Sequence, residues 1–258
     1  MNMTFFKYHG AGNDFIFIDN RNEFFPKQNT DLITHLCDRH FGIGADGLIL
    51  LEKENKADFK MVYFNADSSQ TMCGNGARCA VAFAKKLNII TNTTNFTAYD
   101  GPHYAKINND DTVSLEMIDV ENVDVNKNYI FTNTGTLHHI EIVNDLDNYP
   151  VVERGRKIRN EIYGKEGSNV NFIEQANKNT FHIRTYERGV EDETLACGTG
   201  ITAAAIAAHK IGKTNDNTVH MNAVGGKLQV SFEVVDNSYK NIVLTGPAEF
   251  VFEGTITI

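Results

Sequence analysis

The chain lacks the features that mark secreted, membrane-embedded or nucleic-acid-binding proteins. No apolar run approaches the roughly 18 residues that span a bilayer, and residues 1–10 contain no apolar core of a secretory signal. The 24 Lys and Arg residues are outnumbered by 33 Asp and Glu residues, so the formal net charge is -9. Nucleic-acid binding depends on clustered basic side chains. These absences predict a cytoplasmic protein that binds neither a membrane nor a nucleic acid.

Motifs for metals and common cofactors are also missing. The nine histidines form no HExxH arrangement, and no two of the four cysteines are spaced as CxxC. There is no Walker A loop and no GxGxxG segment between a strand and a helix. The sequence therefore predicts no metal site and no bound cofactor. The cysteines are expected to be free thiols, because a reducing cytoplasm disfavours disulfides.

An internal repeat is the most informative feature that is present. Residues 72–80 read MCGNGARCA and residues 196–204 read ACGTGITAA, with an offset of 124 residues (197 minus 73) that superposes the cysteine and both glycines. Each CGxG opens a run of small and apolar residues at helical spacing. This pattern predicts two buried helices, over 77–87 and 201–211, each beginning just after a cysteine.

The segments around the two cysteines repeat as well. Aromatic and β-branched residues predict strands at 59–64 and 181–186, each before its cysteine. Farther upstream, the predicted strand at 15–18 follows Gly12-Asn13, and that at 140–143 follows Gly135-Thr136. The predicted strand that closes the chain has no counterpart in this alignment.

The repeat predicts an α/β (α+β) fold of two pseudo-symmetric domains. Each is expected to be a strand-rich sheet or barrel wrapped around a central helix, with the active site in the cleft between the domains. The predicted N-terminal domain covers residues 1–118 and is completed by the C-terminal strand, about residues 249–258. The predicted C-terminal domain covers residues 119–248.

Two cysteines at the starts of repeated helices suggest a specific chemistry. A helix N-terminus presents unpaired N–H groups and partial positive charge, which stabilise a thiolate or a bound carboxylate. Two opposed acid/base groups can remove a proton from one face of a carbon and return one to the other face. Cys73 and Cys197 are therefore predicted to catalyse racemisation or epimerisation. Cys37 and Cys79 lie inside helix-like segments and are expected to be core residues.

Four motifs resemble those of the diaminopimelate epimerase family. They are GAGNDF at 10–15, GIGADG at 42–47, MCGNGARC at 72–79, and ERG with ETLACGTG within 187–200. The resemblance implies a pyridoxal-independent enzyme that converts LL-2,6-diaminopimelate to the meso isomer, in lysine and peptidoglycan precursor biosynthesis. It also implies two similar α/β domains and a homodimer.

The resemblance also implies roles for individual residues. Cys73 and Cys197 are the implied proton-transferring pair, with no metal. The main-chain amides after each cysteine are expected to bind the reacting carboxylate. Glu187 and Arg188 are expected to bind the distal ammonium and the distal carboxylate. The implied substrate-binding residues are Asn13, Asn65, Gly74, Asn75, Asn169, Glu187, Arg188, Gly198 and Thr199.

Two departures from the family pattern bear on substrate identity. The chain has Thr136-Leu137 where the family has Asn or Ser followed by proline. The contact that Asn or Ser makes in the family is therefore expected to be made by Thr136, and the missing proline is expected to loosen the turn before His138. The loop before Cys73 reads Asp67-Ser68 in place of Asp-Gly and is about one residue short.

Three other functions are compatible with parts of this pattern. The first is a cofactor-independent racemase or epimerase of the same fold that acts on another amino acid, such as proline, hydroxyproline or a different diamino acid. The second is a small-molecule binding protein without turnover, which the retention of both cysteines disfavours. The third is a thiol oxidoreductase, which normally needs neighbouring cysteines.

Overall fold

The computed structural model describes residues 2–257, which form two compact units. One unit comprises the chain up to Leu115 together with Pro247 and the residues after it, and the other is Glu116–Gly246. The boundaries predicted from the sequence, 118/119 and 248/249, fall within a few residues of this division. Within residues 2–257, no helix combines the length and the apolar character needed to cross a membrane.

The chain is rich in strands and has four α-helices among the residues described. In chain order the elements are β1 (Asn2–Gly10), β2 (Asn13–Asp19), α1 (Thr30–Cys37), β3 (Gly47–Glu52), β4 (Phe59–Asn65), α2 (Gly74–Lys86), β5 (Thr93–Ala98), β6 (Gly101–Ile107), β7 (Val113–Glu116), β8 (Val123–Val125), β9 (Ile130–Asn133), β10 (Leu137–Ile142), α3 (Val151–Glu161), β11 (Asn169–Asn177), β12 (Thr180–Glu187), β13 (Asp192–Thr194), α4 (Gly198–Lys210), β14 (Thr218–Ala223), β15 (Gly226–Val235), β16 (Ser238–Gly246) and β17 (Glu249–Thr257).

Both units have the same strand order. In the first unit the strands pair in the order β17-β1-β2-β3-β4-β5-β6-β7. In the second the order is β8-β9-β10-β11-β12-β14-β15-β16, and β13 is a further antiparallel partner of β12. The third and fifth pairings are parallel in each unit, and the others are antiparallel. The predicted fold of two repeated, strand-rich units is therefore confirmed.

The closing strand has a counterpart that the sequence alignment does not show. β17 pairs antiparallel with β1, as β8 pairs antiparallel with β9. The inference that the last strand has no equivalent in the other half is thus wrong. Its equivalent opens the second unit, whereas β17 comes from the far end of the chain. A linear alignment at constant offset misses this relation because the two strands occupy different positions along the chain.

Each unit packs its strands against one central helix. α2 contacts β1, β2, β3, β4 and β6, and α4 contacts β9, β10, β11, β12, β14, β15 and β16. Both helices begin at the residue after a cysteine, as predicted. Gly198 and the residues from Gly200 to Ala208 of α4 are buried, and most are alanine or glycine. Because strands pack against α4 on several sides, the helix has no polar face. Its small side chains let those strands approach closely.

Candidate active site

Cys73 is the N-cap residue of α2. Its backbone is extended (φ -133°, ψ 115°), and its Sγ accepts a hydrogen bond from the Gly76 N–H at 3.5 Å. Capping satisfies one of the donors that a helix N-terminus leaves unpaired. Cys73 is partly exposed. Gly74 and Asn75 form the start of the helix, where the amide groups have no intrahelical acceptor.

Asn13 and Asn75 join Cys73 in one hydrogen-bonded cluster. The Asn13 Oδ1 lies 3.5 Å from the Cys73 Sγ and accepts a hydrogen bond from the Asn75 Nδ2 at 3.2 Å. The Asn13 Nδ2 donates to a carboxylate oxygen of Asp46 at 2.6 Å. Because a carboxylate only accepts, Asp46 determines which end of the Asn13 amide faces the thiol.

Asp46 belongs to a charged network beneath Asn13. Arg39 donates to both Asp46 and Asp14, each at 2.7 Å, and Lys7 pairs with Asp14 at 2.6 Å. Partial burial by itself raises the pKa of Asp14, but the hydrogen bonds and charges of Arg39 and Lys7 lower that pKa to about 2. Asp14 therefore stays ionised near neutral pH and holds Arg39, while Asp46 bonds both Arg39 and Asn13.

Arg78 supports Asn75 from inside the first unit. The fully buried guanidinium donates from Nη2 to the Asn75 Oδ1 at 2.8 Å, and from its other nitrogens to the carbonyl oxygens of Gly74 and Pro247 at 3.4 Å. Desolvation lowers the pKa of Arg78. Pro247 directly precedes β17, so Arg78 ties the start of α2 to the returning end of the chain. Arg78 is the one charged residue of α2 before Lys85 and Lys86 in its last turn, and this isolated charge is the sequence signal for its role.

Asn65 shapes the loop that leads to Cys73. The Tyr63 hydroxyl donates to the Asn65 Oδ1 at 2.9 Å, and the Asn65 Nδ2 donates to the hydroxyls of Ser69 at 2.9 Å and Thr71 at 3.2 Å. These partners belong to β4 or to the loop itself. The contacts therefore order the segment that positions Cys73.

Ser68 occupies the place where the family pattern has glycine, and its φ of 67° lies in the left-handed region. A Cβ atom is strained in that region. We expect Ser68→Gly to raise the free energy of unfolding by about 0.5–1 kcal/mol, measured by urea denaturation. Ser69→Gly is the matched control and should destabilise, because the Ser69 hydroxyl bonds Asp67 at 2.6 Å. Loss of stability in Ser68→Gly would contradict the assignment of strain.

Cys197 begins α4 in the second unit as Cys73 begins α2 in the first. Its backbone is extended (φ -114°, ψ 112°), and its Sγ lies 3.5 Å from the Thr199 Oγ1. Only 7% of Cys197 is exposed. Gly198 and Thr199 are the first helical residues, so their amide groups lie at the same helix position as those of Gly74 and Asn75.

A buried histidine connects Thr199 to the neighbouring strands. The His138 Nε2 lies 3.0 Å from the Thr199 Oγ1 and 2.9 Å from the Thr136 Oγ1, and its Nδ1 lies 3.1 Å from the Asn171 Nδ2. Burial, and next the positive charge of Arg188, lowers the pKa of His138 to about 3. Sequence alone suggests that the missing proline loosens this turn. In the structure both ring nitrogens of His138 are held in place.

Asn169 and Arg188 contact each other at the ends of β11 and β12. The Asn169 Oδ1 accepts a hydrogen bond from the Arg188 backbone N–H at 2.9 Å, and its Nδ2 donates to the Thr136 Oγ1 at 3.2 Å. The exposed Arg188 guanidinium donates from Nη1 to the Glu166 carbonyl at 2.8 Å. The Glu187 Oε2 accepts from the Thr194 hydroxyl at 2.9 Å.

The predicted site residues thus form two half-sites, one in each unit. The first joins Asn13 and Asn75 to Cys73, and Asn65 orders the loop beside them. In the second, Thr199 contacts Cys197 directly, and Asn169 bonds Thr136, which in turn contacts Thr199. Glu187 is held separately by Thr194. The supporting residues that spacing does not reveal are Asp46, Arg78, His138 and Asn171.

The other two cysteines lie in the core. Burial raises the pKa of Cys37 to about 12 and raises the pKa of Cys79 well above its usual range, so both stay protonated. All four cysteines are free thiols. Within residues 2–257, no cluster of His, Cys, Asp and Glu has the arrangement of a metal site.

Sequence comparisons identify relatives of this chain. A family model described as diaminopimelate epimerase matches residues 5–123 and 130–251. A diaminopimelate epimerase from Flavobacterium psychrophilum is 60% identical over 98% of this chain and 100% of its own. One from Chlorobaculum tepidum is 43% identical over 96% of this chain and 99% of its own.

Solved structures share the fold at much lower sequence identity. A phenazine biosynthesis protein of the PhzF family from Bacillus anthracis has a TM-score of 0.79 at 15% identity, covering 100% of both chains. A hydroxyproline epimerase from Agrobacterium vitis has a TM-score of 0.71 at 16% identity, covering 99% of this chain and 92% of its own. At these identities the likeness concerns the fold alone.

Proposed function

The chain belongs to the diaminopimelate epimerase family, and from this premise we propose that it interconverts LL- and meso-2,6-diaminopimelate by proton transfer through Cys73 and Cys197. The observation that carries the proposal is the placement of both cysteines at the N-termini of repeat-related helices. Each thiol also lies 3.5 Å from a polar side chain. The reaction belongs to lysine and peptidoglycan precursor biosynthesis.

In the proposed mechanism both half-sites act on one substrate α-carbon. One cysteine, as thiolate, takes the α-proton, and the electron pair left on carbon delocalises into the carboxylate. The amide groups of Gly74, Asn75, Gly198 and Thr199 are proposed to stabilise this enediolate-like charge. The other cysteine, as thiol, then delivers its proton to the opposite face. The two cysteines end the turnover with exchanged protonation states, so atoms and charge balance.

Substrate selectivity is proposed to depend on the distal amino-acid group. Arg188 presents a guanidinium whose planar donors match a carboxylate, and Glu187 supplies a carboxylate for the distal ammonium. Asn13, Asn65 and Asn169 are the proposed substrate-binding amides. Asn65 is proposed to act partly through the loop before Cys73, since its side chain bonds Ser69 and Thr71.

Incubation of the purified protein with LL-diaminopimelate in D₂O tests the function. We expect the meso isomer to form and to carry deuterium at the inverted α-carbon, because the delivering thiol has exchanged with solvent. L-Proline and trans-4-hydroxy-L-proline serve as competing substrates. Turnover of either in preference to diaminopimelate would replace the proposed function with another epimerisation, and absence of α-exchange in all three would refute the two-thiol mechanism.

We also propose that the enzyme is cytoplasmic. The proposed chemistry needs two thiols that remain reduced, and a reducing compartment maintains free thiols. All four cysteines are unbridged, which supports this location.

A homodimer is proposed from the surface of β17. Its residues Phe250, Val251 and Phe252 are 44%, 51% and 45% exposed. A run of exposed apolar side chains on a strand is typical of a surface that pairs with another chain. Sedimentation velocity should detect a dimer that Val251→Lys weakens. Val190→Lys, which alters a 58% exposed valine of the second unit, should leave the dimer intact. A monomeric wild-type protein would refute the proposal.

A further inference from the structure

We propose that Glu191 is a positioning residue that fixes the distal-site loop (residues 187–191) and thereby sets the affinity for the distal carboxylate of the substrate. This inference rests on the proposed function, in which Glu187 and Arg188 bind the distal amino-acid group. It gives a role to a carboxylate outside the proposed catalytic and substrate-binding residues. All the residues concerned lie in the second unit.

The distal-site loop has little apolar packing of its own. It begins at the last residue of β12 and ends just before β13. Arg188 and Gly189 are exposed, and Val190 is 58% exposed. A segment with few buried apolar contacts opens easily unless polar contacts hold it. Glu191 supplies several such contacts.

The Glu191 carboxylate joins the loop to β12 and α3. Its Oε2 accepts a hydrogen bond from the hydroxyl of the fully buried Tyr186 at 2.9 Å. Its Oε1 accepts from the Arg159 Nε, in the last turn of α3, and from the Gly189 N–H, each at 3.1 Å. Partial burial by itself raises the pKa of Glu191, but these hydrogen bonds and the charge of Arg159 lower that pKa. The carboxylate is therefore ionised at neutral pH, and its hydrogen bonds are charge-assisted.

The backbone of Glu191 closes the same loop. Its N–H donates to the Glu187 carbonyl oxygen at 2.8 Å, and its φ of 59° lies in the left-handed region. A residue with a Cβ is strained there, whereas glycine is not. Glycine, however, has no carboxylate. A glutamate in this conformation therefore indicates that its side-chain contacts outweigh the backbone strain.

Arg188 is held at two points by other residues. Its backbone N–H donates to the Asn169 Oδ1 at 2.9 Å, and its Nη1 donates to the Glu166 carbonyl oxygen at 2.8 Å. The residues that follow Arg188 in the chain are held by Glu191. Loss of the Glu191 carboxylate would therefore free one side of Arg188 and leave the other side anchored.

Glu191 also balances the charge of a second arginine near Arg188. A Cβ atom at Gly167 would lie 2.9 Å from the Arg188 Cδ and 3.2 Å from the Arg159 Cζ, so the two arginine side chains approach each other closely. Like charges at short range repel unless an anion lies beside them. The Glu191 carboxylate pairs with Arg159 at 3.1 Å, which leaves the positive charge of Arg188 to attract the distal carboxylate.

Limited trypsin digestion of the full chain tests the anchoring without reference to activity. Trypsin cleaves the Arg188–Gly189 bond when the loop opens. In Glu191→Asn the side chain is too short to reach its donors, but asparagine tolerates the left-handed backbone. We expect cleavage at this bond, followed by mass spectrometry, to be about tenfold faster than in wild type.

Two controls accompany the digestion. Glu191→Gln keeps the length of the side chain and an accepting oxygen, so cleavage of Arg188–Gly189 should be intermediate between that of wild type and Glu191→Asn. Lys178, in the exposed turn between β11 and β12, provides the internal control. Cleavage after Lys178 should proceed at the same rate in all three proteins. If Glu191→Asn fails to fold, Glu191→Gly is the second short variant, because it also permits the left-handed backbone.

Steady-state kinetics with diaminopimelate test the effect on binding. We expect Glu191→Asn to raise KM about tenfold and to leave kcat within about twofold of wild type, because the loop binds the distal group and takes no part in proton transfer. Glu191→Gln should raise KM less. A merely structural role would lower the amount of active protein, and hence the apparent kcat, at constant KM. An unchanged KM in active Glu191→Asn, or unchanged cleavage of Arg188–Gly189, would overturn the proposal.

Failure of this inference is distinguishable from failure of the proposed function. A wild-type protein that does not epimerise diaminopimelate would refute the function and with it the role of Glu191 in substrate binding, whatever the digestion shows. Wild-type epimerisation with neither a faster cleavage nor a higher KM in Glu191→Asn would retain the function and refute the role of Glu191.

Discussion

Replacement of either Cys73 or Cys197 by alanine is expected to reduce epimerisation of diaminopimelate about a thousandfold, within the range that general acid–base groups contribute. The proposed reaction needs one group to remove the α-proton and a different group to supply a proton. Neither thiol can serve both faces of the carbon, so each single substitution should be as damaging as the other. The Cys73 side chain caps α2, whereas the Cys197 side chain makes no capping hydrogen bond to α4. Loss of an N-cap costs about 1 kcal/mol, so the fold should survive the loss of either side chain.

The measurement is turnover of LL-diaminopimelate by variants whose circular dichroism matches that of wild type. Cys37→Ala and Cys79→Ala are matched controls, because they delete the same side chain at positions that are 3% and 0% exposed. These controls should lose about 1 kcal/mol of stability and little activity. Near-normal turnover in Cys73→Ala or Cys197→Ala would refute the two-thiol mechanism.

Arg188→Ala is expected to lower kcat/KM for diaminopimelate about a hundredfold, which corresponds to roughly 3 kcal/mol of lost charge-assisted hydrogen bonding. Its Nη1 is anchored on the Glu166 carbonyl, which orients the guanidinium plane. Arg188→Lys keeps the charge but loses the planar pair of donors, so we expect a smaller fall of at least about tenfold. The diagnostic result is a kcat/KM that decreases from wild type to Arg188→Lys and further to Arg188→Ala.

Arg21→Ala provides the control for Arg188. Arg21 pairs with Asp19 at 2.6 Å, at the opposite end of β2 from Asn13. Its loss should leave the kinetics unchanged, because this partly exposed ion pair touches none of the proposed substrate-binding residues. Equal kinetics for Arg188→Ala and wild type would place this arginine outside the substrate site and favour a substrate without a distal carboxylate.

The residues that sequence analysis misses share a physical property. Asp46 reaches Asn13 across 33 positions of the chain, and Asn171 reaches His138 across 33. Their side chains become neighbours because parallel strands bring distant segments into register, as β2 with β3 and β10 with β11. Arg78 contacts Pro247 across 169 positions because the end of the chain returns to the first unit.

Local sequence patterns were enough to predict the two repeated units, the strands before each cysteine, and the helices that begin immediately after Cys73 and Cys197. Helical and strand periodicities are properties of neighbouring residues, so they can be read along the chain. The relations that could not be predicted are the equivalence of β17 and β8, the orientation of Asn13 by Asp46, and the contacts of His138 with Asn171 and Thr199. Those relations depend on which strands pair and on which donors remain once burial excludes water, and neither property has a local signature.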